Sequence, residues 1–199
     1  NDASVGQVTL DASLVTVEKV KPEANAGGTT RAHVGGGFDI NAAGVNVSAT
    51  STNDASSQAL AFEIGLVDVD QTERSASTTH VTEAFVGPSA DLAISGGALT
   101  LDAESDNDAT IDMITPIDLG AVELNFVKST ADAGGVTRSY VAEGSTLSAA
   151  ALSVDAAATN EASVDRFQFG VSLFSLQEAT PVARTTHHVE SYVGPRVGT

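Results

Sequence analysis

The chain has 199 residues with no cysteine, no tryptophan and one methionine, and its 26 acidic against 9 basic residues give a net charge of −17. Without cysteine there are no disulfides and no thiolate metal sites, and the acidic balance argues against nucleic acid or anionic membrane, which select for Lys/Arg patches. No apolar run approaches the roughly 20 residues that span a bilayer, and no basic segment followed by an apolar core reads as a signal peptide.

In chain order, the first element is a marker. Asn1-Asp2-Ala3 returns as Asn53-Asp54-Ala55, Asn107-Asp108-Ala109 and Asn160-Glu161-Ala162, at steps of 52, 54 and 53 residues. A strand follows over Val8-Thr9-Leu10, with counterparts at Leu60-Ala61-Phe62, Met113-Ile114 and Phe167-Gln168-Phe169. The apolar parity shifts just before it, which predicts a bulge or corner. The next strand covers Val15-Thr16-Val17, Leu66-Val67-Asp68-Val69, Leu124-Asn125-Phe126-Val127 and Leu173-Phe174-Ser175-Leu176. A further strand carries a second marker: Arg31-Ala32-His33-Val34, Glu83-Ala84-Phe85-Val86, Arg138-Ser139-Tyr140-Val141 and Glu190-Ser191-Tyr192-Val193, at steps of 52, 55 and 52. Gly35, Gly87-Pro88 and Gly194-Pro195 close it into a turn.

Three copies then add Val45 to Ala49, Leu99 to Ala103 and Leu152 to Ala156, whose strict alternation of apolar and polar residues marks a half-buried strand. The alternation runs on through Ala49, Ser51, Asn53 and Ala55, and through Ala103, Ser105, Asn107 and Ala109. One long strand therefore passes through the first marker with small residues on its inner side. No sustained helical spacing of apolar residues is present.

Two markers in one period define a repeat protein. The copies are residues 1–52, 53–106, 107–159 and a shorter 160–199. A longer period of 107 overlies them, since Lys21 to Arg31 resembles Lys128 to Arg138, and Thr78-Thr79-His80 matches Thr185-Thr186-His187. The expected fold is all-β, a β-solenoid resembling a parallel β-helix with about 53 residues per coil. The rival is a tandem of immunoglobulin-like β-sandwiches of about 107 residues each.

Stacking such coils about 4.8 Å apart turns each repeated position into a column. Arg31, Glu83, Arg138 and Glu190 alternate in sign, as a column of charges requires. His33, Phe85, Tyr140 and Tyr192 stack as planar rings, either as a structural ladder or as an aromatic surface for sugar. Asn1, Asn53, Asn107 and Asn160 make an amide ladder. Asp2, Asp54, Asp108 and Glu161 make an acidic column whose adjacent carboxylates repel by about 1 kcal/mol even in water. Calcium or salt offsets such a column, and these four are the candidate calcium ligands, although neither the nonapeptide nor the twelve-residue calcium-loop pattern occurs. The plainer reading is a solvated outer face with no cofactor.

His80 and His187 lie two coils apart, too far to share an ion, and His187 and His188 point to opposite faces of one strand. The sequence contains no Gly-x-Ser-x-Gly, His-Glu-x-x-His, phosphate-loop or dinucleotide pattern. No catalytic residue is assigned and the chain is read as a non-enzyme.

The succession of Ala84-Phe85-Val86-Gly87, Leu99 to Ala103 and the Asn-Asp-Ala marker resembles repeats of very long bacterial surface proteins, the β-strand-repeat adhesins and filamentous-haemagglutinin-like proteins. The resemblance implies an extracellular rod or fibre at the cell surface and transfers no site residue. The chain begins at Asn1 rather than Met and its two end copies are incomplete in complementary ways. It is therefore read as a processed product or a segment whose ends join head to tail with copies of itself or with adjacent repeats of one giant chain. The expected function is a structural fibre, stalk or adhesin shaft. A calcium- or cell-surface-glycan-binding adhesive module is the alternative, and a polysaccharide-active enzyme on a β-helix is the third class.

Overall fold

A computed structural model describes the backbone of residues 1–194, and the side chains of these except at 61–63, 113–119 and 166–171. Among the described residues every regular element is a strand. Five short strands and two long ones carry the first three passes of the chain: β1 (Asp2–Ala12), β2 (Val15–Val20), β3 (Glu23–Val34), β4 (Asp39–Ala42), β5 (Val45–Val86), β6 (Asp91–Ile94) and β7 (Ala98–Val141). β8 (Thr146–Ser148) and β9 (Ala151–Val193) complete the order. The long strands run unbroken through the Asn-Asp-Ala marker to the aromatic marker.

All pairing is parallel. β1, β2 and β3 line up along β5, which pairs with β7, which pairs with β9, while β4, β6 and β8 form a second sheet that nearly closes each pass. An immunoglobulin-like sandwich is built from antiparallel strands, so the rival architecture is not the one adopted. The register sets like on like: Asn53 faces Asn107, which faces Asn160, and His33, Phe85, Tyr140 and Tyr192 follow one another. The register slips between Ala59 and Phe62 on β5 and between Ile114 and Ile117 on β7, where the third pass holds one more residue than its neighbours. The extra residue falls at the strand where the apolar parity shifts, but the first and second passes pair through that strand without a slip, so the expected bulge is confined to the third pass. The side chains of the expected strand residues Phe62, Met113, Ile114, Phe167 and Phe169, and all of Pro195, lie outside the described residues.

Two cores hold each pass together. Beneath the aromatic marker, Val47, Leu92, Ile94, Leu99, Leu101 and Val86 pack with Ala84 and Ala103. Farther along, the interior is almost all alanine, with Ala55, Ala76, Ala109, Ala131 and Ala133 around Ile111. Small residues are required there because the outgoing and returning legs approach closely enough for Ser51 to bond Thr82 at 2.7 Å and Ser105 to bond Thr137 at 2.6 Å. After the aromatic marker the chain turns through a left-handed residue at Gly37, Ser89 and Gly144, a conformation that favours glycine.

Inward and outward positions differ in how much they can be changed. Leu101→Ala, in the apolar core, is expected to lower stability by about 2–5 kcal/mol in urea unfolding, against about 0.5 kcal/mol or less for outward Thr100→Ala.

Candidate functional site

The charged, aromatic and asparagine columns that the repeat defines are each occupied by side chains engaged with one another. In the charged column Glu83 is 2% exposed and is clasped from both sides, its two carboxylate oxygens accepting from Arg31 Nε below and Arg138 Nη2 above. Arg138 sits in turn against Glu190 in the register, and Glu190 also accepts from His188 Nε2 at 2.6 Å. Two like charges at neighbouring passes would stand about 4.8 Å apart, so the sign alternation is what permits a buried carboxylate here.

The rings of His33, Phe85, Tyr140 and Tyr192 stack at centroid spacings of 4.9, 4.9 and 5.0 Å, within 7° of parallel. Burial, with the neighbouring Glu83 carboxylate, pushes the Tyr140 phenol above its ordinary value. The column lies half-buried along the outside of the sheet. Its rings are spaced at van der Waals contact, so each covers the faces of its neighbours.

The asparagines face inward. Asn1 Nδ2 donates to Asn53 Oδ1 at 3.3 Å, and Asn53 to Asn107 and Asn107 to Asn160 at 2.8 Å each. Asn53 and Asn107 are essentially unexposed, at 1% and 0%, so this chain of amides satisfies donors and acceptors that no water reaches. It also sets the histidines. Asn1 Nδ2 lies 2.9 Å from His80 Nδ1, which must accept, leaving His80 Nε2 to donate to Thr30 Oγ1 at 2.9 Å. The arrangement recurs at His187, with Nε2 2.7 Å from Thr137 Oγ1 and a longer 3.4 Å contact from Nδ1 to Asn107. A proton on Nδ1 would set donor against donor.

Glycine makes room for these rings. In the register Gly28, His80, Gly135 and His187 succeed one another. A Cβ at Gly135 would lie 2.3 Å from the His80 carbonyl oxygen and 3.1 Å from the His187 ring. The 107-residue alternation between Gly-Gly and Thr-His therefore has a steric cause. His80 and His187 are separated by a whole pass and share no ligand, and His188 is on the outer face.

The acidic column is on the outer face. Asp2, Asp54, Asp108 and Glu161 follow in register, beside the amide ladder. Burial raises the Asp54 carboxyl, and the Asp108 and Asp2 carboxylates raise it further. Among the described residues no three His, Cys, Asp or Glu side chains converge as a metal-binding group.

The repeat did not point to a second polar interior near the bend at Gly65. Asp68 and Glu123, at 0% and 1% exposure, point inward. Glu123 accepts from Gln177 Nε2 at 2.8 Å and from Asn125 Nδ2. Burial raises the Asp68 carboxyl, a hydrogen-bonding pull from Thr16 opposes this, and Asp11 and Glu123 add to the rise. The alternation of Val67, Asp68 and Val69 was the signal, and it did not say which face is inside.

No protein-family model matches the chain, and neither a curated protein nor a solved structure matches it.

Burial holds both the His80 and the His187 imidazoles below their ordinary value. Above about pH 6.5 both folded and unfolded chains carry them neutral; as pH falls below it the unfolded chain takes up protons that the folded chain refuses. Their contribution to stability is therefore present above about pH 6.5 and is lost on acidification below it. Asp54 and Asp68, raised instead, act with the opposite sign at lower pH, favouring the folded chain as they are protonated. Urea midpoints measured between pH 7.5 and 5.5 should fall, and the decline should be shallower in the His80→Gln/His187→Gln double variant.

Proposed function

We propose that this chain is a structural segment, a β-solenoid shaft in which one copy of about 53 residues makes one coil and the coils continue end to end as an extracellular fibre, stalk or adhesin shaft. The observation that carries the reading is the use made of the side chains. Arginine, glutamate, aromatic and asparagine side chains that would serve a ligand site elsewhere are turned toward the equivalent position of the next pass. An array of this type draws its stability from nearest-neighbour interfaces, and extending it repeats the same interface.

The end passes support continuation. Arg31 stands at one end of the charged column and Glu190 at the other, so a second copy set beneath the first brings Glu190 against Arg31 and keeps the signs alternating. The same step sets Tyr192 against His33 and His187 against Gly28. Both outer strand rows, β1 to β3 and β9, have one edge free among the described residues, and a free parallel edge is a template for another strand. The extracellular placement rests on the resemblance to adhesin repeats. The second reading, calcium on the outer acidic column, is favoured by the register that sets Asp2, Asp54 and Asp108 on neighbouring passes, where the two outer carboxylates add to the rise that burial imposes on Asp54.

Electron microscopy of concentrated protein should show fibres, and Arg31→Glu, which sets glutamate against Glu190 at each junction, should shorten them; it should also lower the urea midpoint of the unjoined chain, since it replaces one of the two arginines that clasp the buried Glu83. Discrete particles at every concentration contradict end-to-end joining. For the second reading, millimolar calcium should raise the melting temperature of the native chain and leave that of Asp54→Asn/Asp108→Asn unchanged.

A further inference from the structure

The bend of each pass is inverted. On its inner side lie Thr16, Asp68 and Glu123, all under 7% exposed, and beside them Asp70 and Asn125. On its outer side lie two apolar columns. Val15, Val67, Val122 and Phe174 succeed one another in register, as do Val17, Val69, Leu124 and Leu176. Their end members are open to solvent, Val15 at 64%, Val17 at 77%, Phe174 at 60% and Leu176 at 52%. Leu14, Leu66 and Leu173, at 72%, 57% and 92%, extend the surface around the bend, beside a shallow groove of about 440 Å³ lined by Leu14, Ile64 and Leu66. A contiguous apolar surface of this kind on an acidic protein marks an interaction face.

We infer that this face packs against the same face of a second copy of the chain, in the opposite axial sense. Two observations select that occupant. First, the columns place one apolar side chain at every pass, about 4.8 Å apart. A surface with the same axial spacing interdigitates with them along its whole length, and a second copy has that spacing. Two sheets so apposed stand about 10 Å apart.

Second, the charges at the rim are complementary under a two-fold axis that reverses the stack. The column next to the apolar pair reads Lys19, Gln71, Phe126 and Glu178, and the one beyond it Lys21, Glu73, Lys128 and Thr180. When the first pass of one copy faces the fourth of the other, Lys19 meets Glu178 and Glu73 meets Lys128, each twice. Phe126, 39% exposed, then lies over Gln71 of the other copy rather than over solvent. The face repeats along any longer stack, so the contact bundles two shafts side by side in opposite directions. It rests on the stacked passes alone and is independent of end-to-end joining.

Sedimentation velocity on the full chain, across a hundredfold range of concentration, should show a species of twice 20.1 kDa. Carbodiimide should link Lys19 to Glu178 between chains, since within one chain they stand three passes apart. Val69→Glu/Leu124→Glu should abolish the doubled species while keeping the β circular dichroism. Val17→Glu, at an end position 77% exposed and so without consequence for folding, should weaken it at least tenfold if the double variant fails to fold. Arg31→Glu should leave the lateral pair intact, which separates this contact from the axial one. A strictly monomeric wild type, cross-links confined to like passes, or Val17→Glu pairing as wild type overturns the inference. So does a wild type that stays monomeric but floats with neutral phosphatidylcholine vesicles, which would assign the face to lipid.

Discussion

Everything in this molecule depends on parallel, in-register backbone pairing sustained over some forty residues at a time. That pairing forces each side chain to lie on its own counterpart at the spacing of neighbouring strands, about 4.8 Å, and the residue types follow from what tolerates such company. An amide both donates and accepts, so asparagine can stack on asparagine without limit. A planar ring offers a face on each side. A charge cannot follow itself when buried, so arginine and glutamate take turns around Glu83. A buried imidazole needs space and hydrogen-bond partners, so histidine takes turns with glycine.

Each contact of this kind is small, about 0.2–1 kcal/mol for a cross-strand pair, and their effect lies in repetition and in specificity. A slip of one residue would expose the leucines at 99 and 101 and bury their polar neighbours; it would also break the amide, ring and charge ladders together. The alanine-lined interior contributes less burial than a leucine core of equal length. The asparagine, serine, threonine and histidine bonds between the two legs compensate by fixing their separation, with every polar atom of the pair Ser105 and Asn107 engaged inside.

Much of this was legible because stacking writes its period into the sequence. The Asn-Asp-Ala and aromatic markers, the alternation from Val45 to Ala55, and the sign change at Arg31, Glu83, Arg138 and Glu190 each correspond to a feature of the register. The 107-residue period was visible as well, but its cause was not, because Gly28 and His80 come together only across passes. The bend was not legible. Period-two alternation at Val67, Asp68 and Val69 distinguishes two faces and does not say which is inner; the apolar one faces outward here, which a lone chain has no reason to choose and which the sequence could not announce.

The direct test of the account is whether residues about one copy apart are neighbours in register. The chain has no cysteine, so Asn46→Cys/Thr100→Cys introduces one pair, at positions that face each other across β5 and β7. Neighbouring parallel strands hold such Cα atoms within the 4.4–6.8 Å that a disulfide spans, whereas Asn46→Cys/Asp102→Cys, displaced by two residues, exceeds it. Stacked passes predict rapid, complete oxidation of the first pair within single chains and none of the second under the same conditions. Equal oxidation of both pairs, or of the second alone, would contradict the register on which the ladders, the proposed shaft and its lateral face all stand.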